Sequence, residues 1–157
     1  MKKAILLLAL VAICATASMA LTFGYESSDL PYLRFELNNS RSIDLGATTN
    51  NSLNGSSNDQ TLMLRFNQDL SKVGPIQLGW ALQFRGYRDT SSSGSIYNSI
   101  SYSGLLSVEY KVVEQVGLYS NITLLTYTDV SIGGTHAYHL NSLQAPWLAI
   151  TGVRFYI

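Results

Sequence analysis

The chain has 157 residues, no formal net charge and only 13% charged residues, about half the charged share of an ordinary soluble domain. Neutrality without a basic patch excludes nucleic acid as a partner on electrostatic grounds. The only cysteine, Cys14, leaves no internal disulfide to hold the fold together.

Residues 1–20 read as a cleaved secretory signal peptide: Lys2 and Lys3 lead, an apolar run extends from Ala4 to Ala17, and Ser18-Met19-Ala20 supplies a small-residue cleavage site. The run is shorter than the roughly 20 residues of a spanning helix. Ile13 stands before Cys14 where a lipoprotein signal has a small residue. The remainder, 21–157, contains no linker and reads as one domain.

From Leu21 onward apolar residues recur at every second position, which marks strands with one oily and one wet side. The first strand, 21–27, sets Leu21, Phe23 and Tyr25 against Glu26. The second, 31–38, sets Leu33, Phe35 and Leu37 against Arg34 and Glu36; the third, 41–49, sets Ile43, Leu45 and Ala47 against Asp44. In the fourth, 60–70, Leu62, Leu64 and Phe66 oppose Arg65 and Asn67. In the fifth, 75–88, Leu78, Trp80, Leu82 and Phe84 oppose Gln77, Gln83 and Arg85. The sixth, 97–112, opposes Tyr102, Leu106, Val108 and Tyr110 to Tyr97, Ser101, Ser103, Glu109 and Lys111. The seventh, 115–129, opposes Leu118, Ile122 and Leu124 to Tyr119, Asn121 and Thr123. The eighth, 147–157, opposes Val153, Phe155 and Ile157 to Arg154 and Tyr156.

Connection lengths alternate. Asn38–Ser40, Ser71–Gly74 and Val113–Glu114 are short turns, whereas Thr48–Asn58, Asp89–Ile96 and Val130–Pro146 are long and rich in Asn, Ser and Gly, as exposed loops are. Only Ser28–Leu30 is brief on the long side.

Two architectures use such strands. A secreted soluble barrel would turn the apolar set inward around an apolar ligand. An eight-stranded antiparallel up-and-down transmembrane β-barrel turns it outward to lipid, and low total charge then follows, because a closed sheet satisfies every backbone group inside a bilayer. Aromatics favour the second arrangement: Tyr25, Phe84, Tyr102 and Trp147 gather near the long-loop end and Phe66, Tyr110 and Phe155 near the short-turn end, as two belts. Ser120, Thr126 and Asn98 break the outer pattern, and a β-bulge or slipped register in the last two of the long strands accommodates them.

The inner face carries Arg34, Arg65, Arg85, Lys111 and Arg154 with Glu26, Glu36, Asp44 and Glu109. A lumen of eight strands is only wide enough for side chains to fill, so these charges are expected to pair into a structural plug. The segment THAYHLNS in the last long loop holds His136, His139 and Ser142. A Ser-His pair at the rim is the weaker alternative, a lipid-A-modifying enzyme using His139 and Ser142. No nucleophile motif surrounds them, and the two histidines lack a third metal ligand. The expectation is a non-enzymatic protein without cofactor or metal.

The segments PYLRFELNNSRSIDLGATT, a strand, tight turn and strand, and the terminal ITGVRFYI resemble the small eight-stranded outer-membrane barrels of diderm bacteria, the OmpA/OmpX-like class. The resemblance covers the layout of 21–157. It implies a porin-like barrel of the Gram-negative cell envelope, exported to the outer membrane and acting as a monomer in contact with lipid and lipopolysaccharide. It also implies loops that meet a surface protein or host ligand. Gly152, Val153, Phe155 and Ile157 look like the signal read by the β-barrel assembly machinery, although such signals commonly end in Phe or Trp.

Overall fold

The computed structural model describes residues 21–27, 30–51, 57–91, 96–142 and 150–156. The expected signal peptide, Trp147 and Ile157 lie outside the described residues. Among the described residues there are nine strands: β1 Leu21–Glu26, β2 Leu30–Asn38, β3 Arg41–Asn51, β4 Ser57–Val73, β5 Ile76–Ser91, β6 Ile96–Val113, β7 Val116–Ile132, β8 Thr135–Ser142 and β9 Ile150–Tyr156.

Neighbours in sequence pair antiparallel from β1 to β7. Strand β9 then closes the sheet by pairing with β1 on one side and with the first residues of β7, Val116 to Asn121, on the other. The result is an all-β, closed, eight-stranded antiparallel barrel with up-and-down strand order. Strand β8 is an addition to it, paired with the far end of β7 from Leu125 to Ile132.

That addition corrects the expected long loop Val130–Pro146. Gly133 and Gly134 take φ of 56° and 88°, and two consecutive left-handed residues build the tight hairpin whose twist suits paired strands. THAYHLNS therefore pairs as a strand. Every one of its residues is exposed, and only Tyr138 and Leu140 mark its outward face, too short a run to stand out as alternation in the sequence. The same reason explains β4 to β7, which run to 16–18 residues. Their Asn-, Ser- and Thr-rich ends continue the hydrogen-bonded ladder beyond the last apolar residue, so the expected loops Thr48–Asn58 and Asp89–Ile96 are shorter than read.

Burial follows the alternation, inverted relative to a soluble protein. Leu62 and Leu82 are each 57% exposed and Tyr102 54%, whereas Arg65, Asp44 and Glu26 are fully buried. A soluble barrel with an apolar ligand cavity requires the reverse, and this interior does not provide it. The departures on β7 resolve in two ways. Pairing jumps from Leu105↔Thr123 to Gly104↔Leu125, leaving Leu124 as the extra residue of a bulge. Beyond it the parity flips, so Leu125 and Tyr127 join the outer wall while Thr126 turns inward and its hydroxyl meets that of Ser103 at 2.8 Å. Ser120 stays outside, between Val108 and Thr151.

Space inside is made by glycine. A Cβ on Gly152 would overlap the Tyr25 carbonyl oxygen and the Tyr119 hydroxyl, and one on Gly24 would overlap the Tyr32 ring. Because the Tyr25 oxygen is backbone and cannot swing away, Gly152→Ala is expected to cost about 1–3 kcal/mol, as over-packing does. The check is a lower urea midpoint for loss of the unboiled fast-running gel band in detergent micelles.

Candidate functional site

The lumen is the chemically richest region. Arg65 sits at its centre, with Nε donating to Asp44 Oδ2 at 2.9 Å and Nη1 donating to Glu26 Oε1 at 2.5 Å and to Gln83 Oε1 at 3.3 Å. Asp44 also accepts from Arg34, through Nε at 2.7 Å and Nη2 at 3.2 Å, the two-pronged geometry that gives a guanidinium its strongest hold on a carboxylate. The second oxygen of Glu26 accepts from Arg85 Nη2 at 2.8 Å.

A second centre forms at Glu109, which accepts from Arg154 Nη1 and the Tyr156 hydroxyl and lies 4.0 Å from Arg34 Nη1. Arg34 thus links the two carboxylate centres. Arg154 Nε donates to the Tyr32 hydroxyl at 2.9 Å. Tyr32 and Tyr119 meet edge to face at 6.1 Å, with Arg65 lying 5.2 Å and 5.7 Å from their centroids and Arg154 4.1 Å from that of Tyr119. Stacked guanidinium over tyrosine partly replaces the hydration these cations lose.

Of the nine expected inner charges, Glu26, Arg34, Asp44, Arg65, Arg85, Glu109 and Arg154 meet in this one network. Glu36 and Lys111 lie at the short-turn mouth, around a cavity of about 310 Å³ that they share with Arg34 of the network and with Asp69, Lys72 and Gln77. There Lys111 Nζ stands 4.1 Å over the Tyr156 ring. A smaller void of about 10 Å³ is lined by Arg34, Asn67, Glu109 and Arg154 together with Asp69 and Gln77 of the mouth. Tyr32 was missed from sequence, although its parity with Arg34 and Glu36 in PYLRFE puts all three on one side. Met63 and Leu105 were missed as well; both are fully buried inside this polar lumen, where no rule of alternation by polarity would place them.

On the outer wall, aromatic rings form a ladder near the long-loop end. Phe84–Tyr102, Tyr102–Tyr127, Tyr127–Tyr138 and Tyr138–His136 have centroids 5.4, 6.4, 6.3 and 6.3 Å apart. Towards the short turns, Phe66 packs with Trp80 at 6.0 Å and Phe23 with Phe155 at 6.3 Å. Tyr25 and Tyr110 are exposed on the same wall. Val153 faces outward between Tyr25 and Leu118 in register, and Gly152 pairs with Glu26 and Tyr119 on the inner side.

His139 and Ser142 do not come together. Three residues apart on one strand, they fall on opposite faces: His139 is level with inward Thr128, and Ser142 with outward Leu125. His136 faces out, its Nδ1 3.1 Å from Asp129 Oδ1. Among the described residues no three His, Cys, Asp or Glu side chains cluster as a metal site would require.

No protein-family model matches the sequence, and no curated protein matches it. Among solved structures, the crystal structure of CarO from Acinetobacter baumannii aligns with 88% of this chain and 97% of its own, at 11% identity and a TM-score of 0.37.

Proposed function

We propose that this chain is an integral outer-membrane β-barrel of the small, OmpA/OmpX-like kind, non-enzymatic, with a structural and surface-interaction role and a lumen closed by its own side chains. The observation that carries the reading is the inversion of polarity. Leucine and tyrosine cover the closed wall while arginine and carboxylate are buried within it, an arrangement that is stable only where the outside solvent is hydrocarbon.

The charge network supports the closed lumen, since every arginine in it is held by at least one carboxylate. Breaking such contacts to admit hydrated ions would strand buried charges at several kcal/mol each. Lipid and lipopolysaccharide surround the wall, the assembly machinery inserts it, and the connections beyond the aromatic ladder meet surface partners; the barrel acts as a monomer. In planar bilayers the refolded protein is expected to give no stepwise conductance, and in fractionated diderm cells it is expected in the outer membrane. Regular conductance steps refute the closed lumen, and recovery in the soluble periplasm refutes the membrane location.

A further inference from the structure

The barrel wall is not equally high all round. Strand β1 stops at Glu26 and β2 begins at Leu30, and the pairing of β2 with β3 ends at Tyr32↔Gly46. Towards the long loops β3 pairs on with β4 as far as Asn51, and β4 to β8 continue beside it. Above the β1–β2 connection the wall is therefore an open sheet, β3 to β8, with two free edges among the described residues: 47–51 of β3, and β8 from Thr135 to Ser142.

The β3 edge is short and carries only Ala, Thr and Asn. The β8 edge is longer and regular. Its eight residues pair with β7 without a break in register, so alternate ones turn roughly four N–H and four C=O groups to the free side, along about 27 Å. Proteins blunt an edge of this length with lysine, proline, an inward-pointing charge or a bulge. THAYHLNS has no Lys, Pro, Asp or Glu, and all eight residues are exposed. Tyr138 stacks on Tyr127 at 6.3 Å and Leu140 pairs with Tyr127 in register, so the outward side of the edge continues the aromatic ladder, while Ala137, His139 and Asn141 stand on the inward side.

We propose that β8 is a docking edge for an extended segment of another polypeptide, which joins the sheet as a further antiparallel strand with apolar residues facing out beside Tyr138 and Leu140 and small polar residues facing in. Backbone pairing supplies the affinity, and the alternation of side chains supplies the selection. A second copy does not fit this role. In one bilayer an axis along the membrane normal relates two copies, which sets their β8 strands parallel at best and turns the apolar outer face of one to the polar inner face of the other. The inference rests on the closed-barrel reading and names the kind of surface partner that the barrel takes.

The test titrates a labelled peptide, LTYTDVSI, into the refolded, heat-modifiable protein in detergent micelles. This is the sequence of residues 125–132, which β8 already accepts on its other side. Two further forms are N-methylated on alternate residues, one in each frame. The frame whose N–H groups face β8 is expected to bind about tenfold more weakly, the scale of one or two lost hydrogen bonds, and the other frame to bind like the unmethylated peptide. Leu140→Lys supplies the missing edge protection and is expected to weaken binding about tenfold, whereas Thr90→Lys, on β5, leaves it unchanged. In hydrogen exchange of the free protein, alternate amides of β8 are expected to exchange fast and to become protected by the peptide. Absence of binding, equal binding of the two methylated frames, or unchanged binding to Leu140→Lys with heat-modifiability retained overturns the proposal. So does slow exchange along all of β8 in the free protein, which means that 143–149 or a second copy already covers the edge. A wild-type chain that is not heat-modifiable refutes the barrel reading instead.

Discussion

Asp44→Asn is expected to lower the stability of the folded barrel by about 3–5 kcal/mol, the usual cost of removing one partner from a buried charge pair. Asp44 is fully buried and accepts three hydrogen bonds, two from Arg34 and one from Arg65. An amide keeps its shape but offers one acceptor oxygen and no charge. Two guanidiniums are then left facing each other with only Glu26 and the more distant Glu109 to compensate. The mechanism has a signature that simple loss of packing lacks. Adding Arg65→Met to Asp44→Asn removes one of the two cations that lose Asp44, so the double variant is expected to recover part of the loss, with a coupling of about 0.5–3 kcal/mol between the two sites. Urea unfolding in detergent micelles, followed by the heat-modifiable band, measures all three variants. Purely additive losses contradict the network as described.

Leu82→Arg is the second large effect, and its sign depends on the solvent. Leu82 is more than half exposed, on the outer wall between Phe66 and Gly104 in register. On a water-facing surface such a substitution changes stability within about 0.5 kcal/mol. At the middle of a lipid-facing band it costs about 2–4 kcal/mol. Thr90→Arg, on the same strand and face but nearer the long-loop end, is the control and is expected to be nearly neutral. Refolding yield and urea midpoint in phospholipid vesicles separate the two cases, and equal behaviour of the two variants argues against a bilayer boundary between positions 82 and 90.

Much of the barrel was legible because its two faces meet two solvents, and β1 to β7 carry that difference residue by residue. The inner set from Glu26 to Arg154 was readable by parity alone. The register was legible only in part: Ser120, Thr126 and Asn98 signalled a disturbance, but the bulge at Leu124 is fixed by the pairing of β6 with β7. Composition hid β8, whose outward face shows only Tyr138 and Leu140 among Thr, His, Asn and Ser. That strand decides the fate of His139 and Ser142, which looked like neighbours on a loop and lie on opposite sides of a sheet. Which inner charges meet was not legible either. Contact across the lumen, as between Glu26 and Arg85, fifty-nine positions apart, depends on closure and stagger rather than on spacing along the chain.

The most direct measurement is vesicle flotation of the purified chain refolded into phospholipid, with each fraction run on a gel boiled and unboiled. The chain is expected to float with the vesicles and to migrate faster unboiled, because a hydrogen-bonded closed sheet resists detergent until heated. A chain that stays at the bottom of the gradient, soluble without detergent and with one mobility whether boiled or not, contradicts a barrel whose oily wall faces lipid.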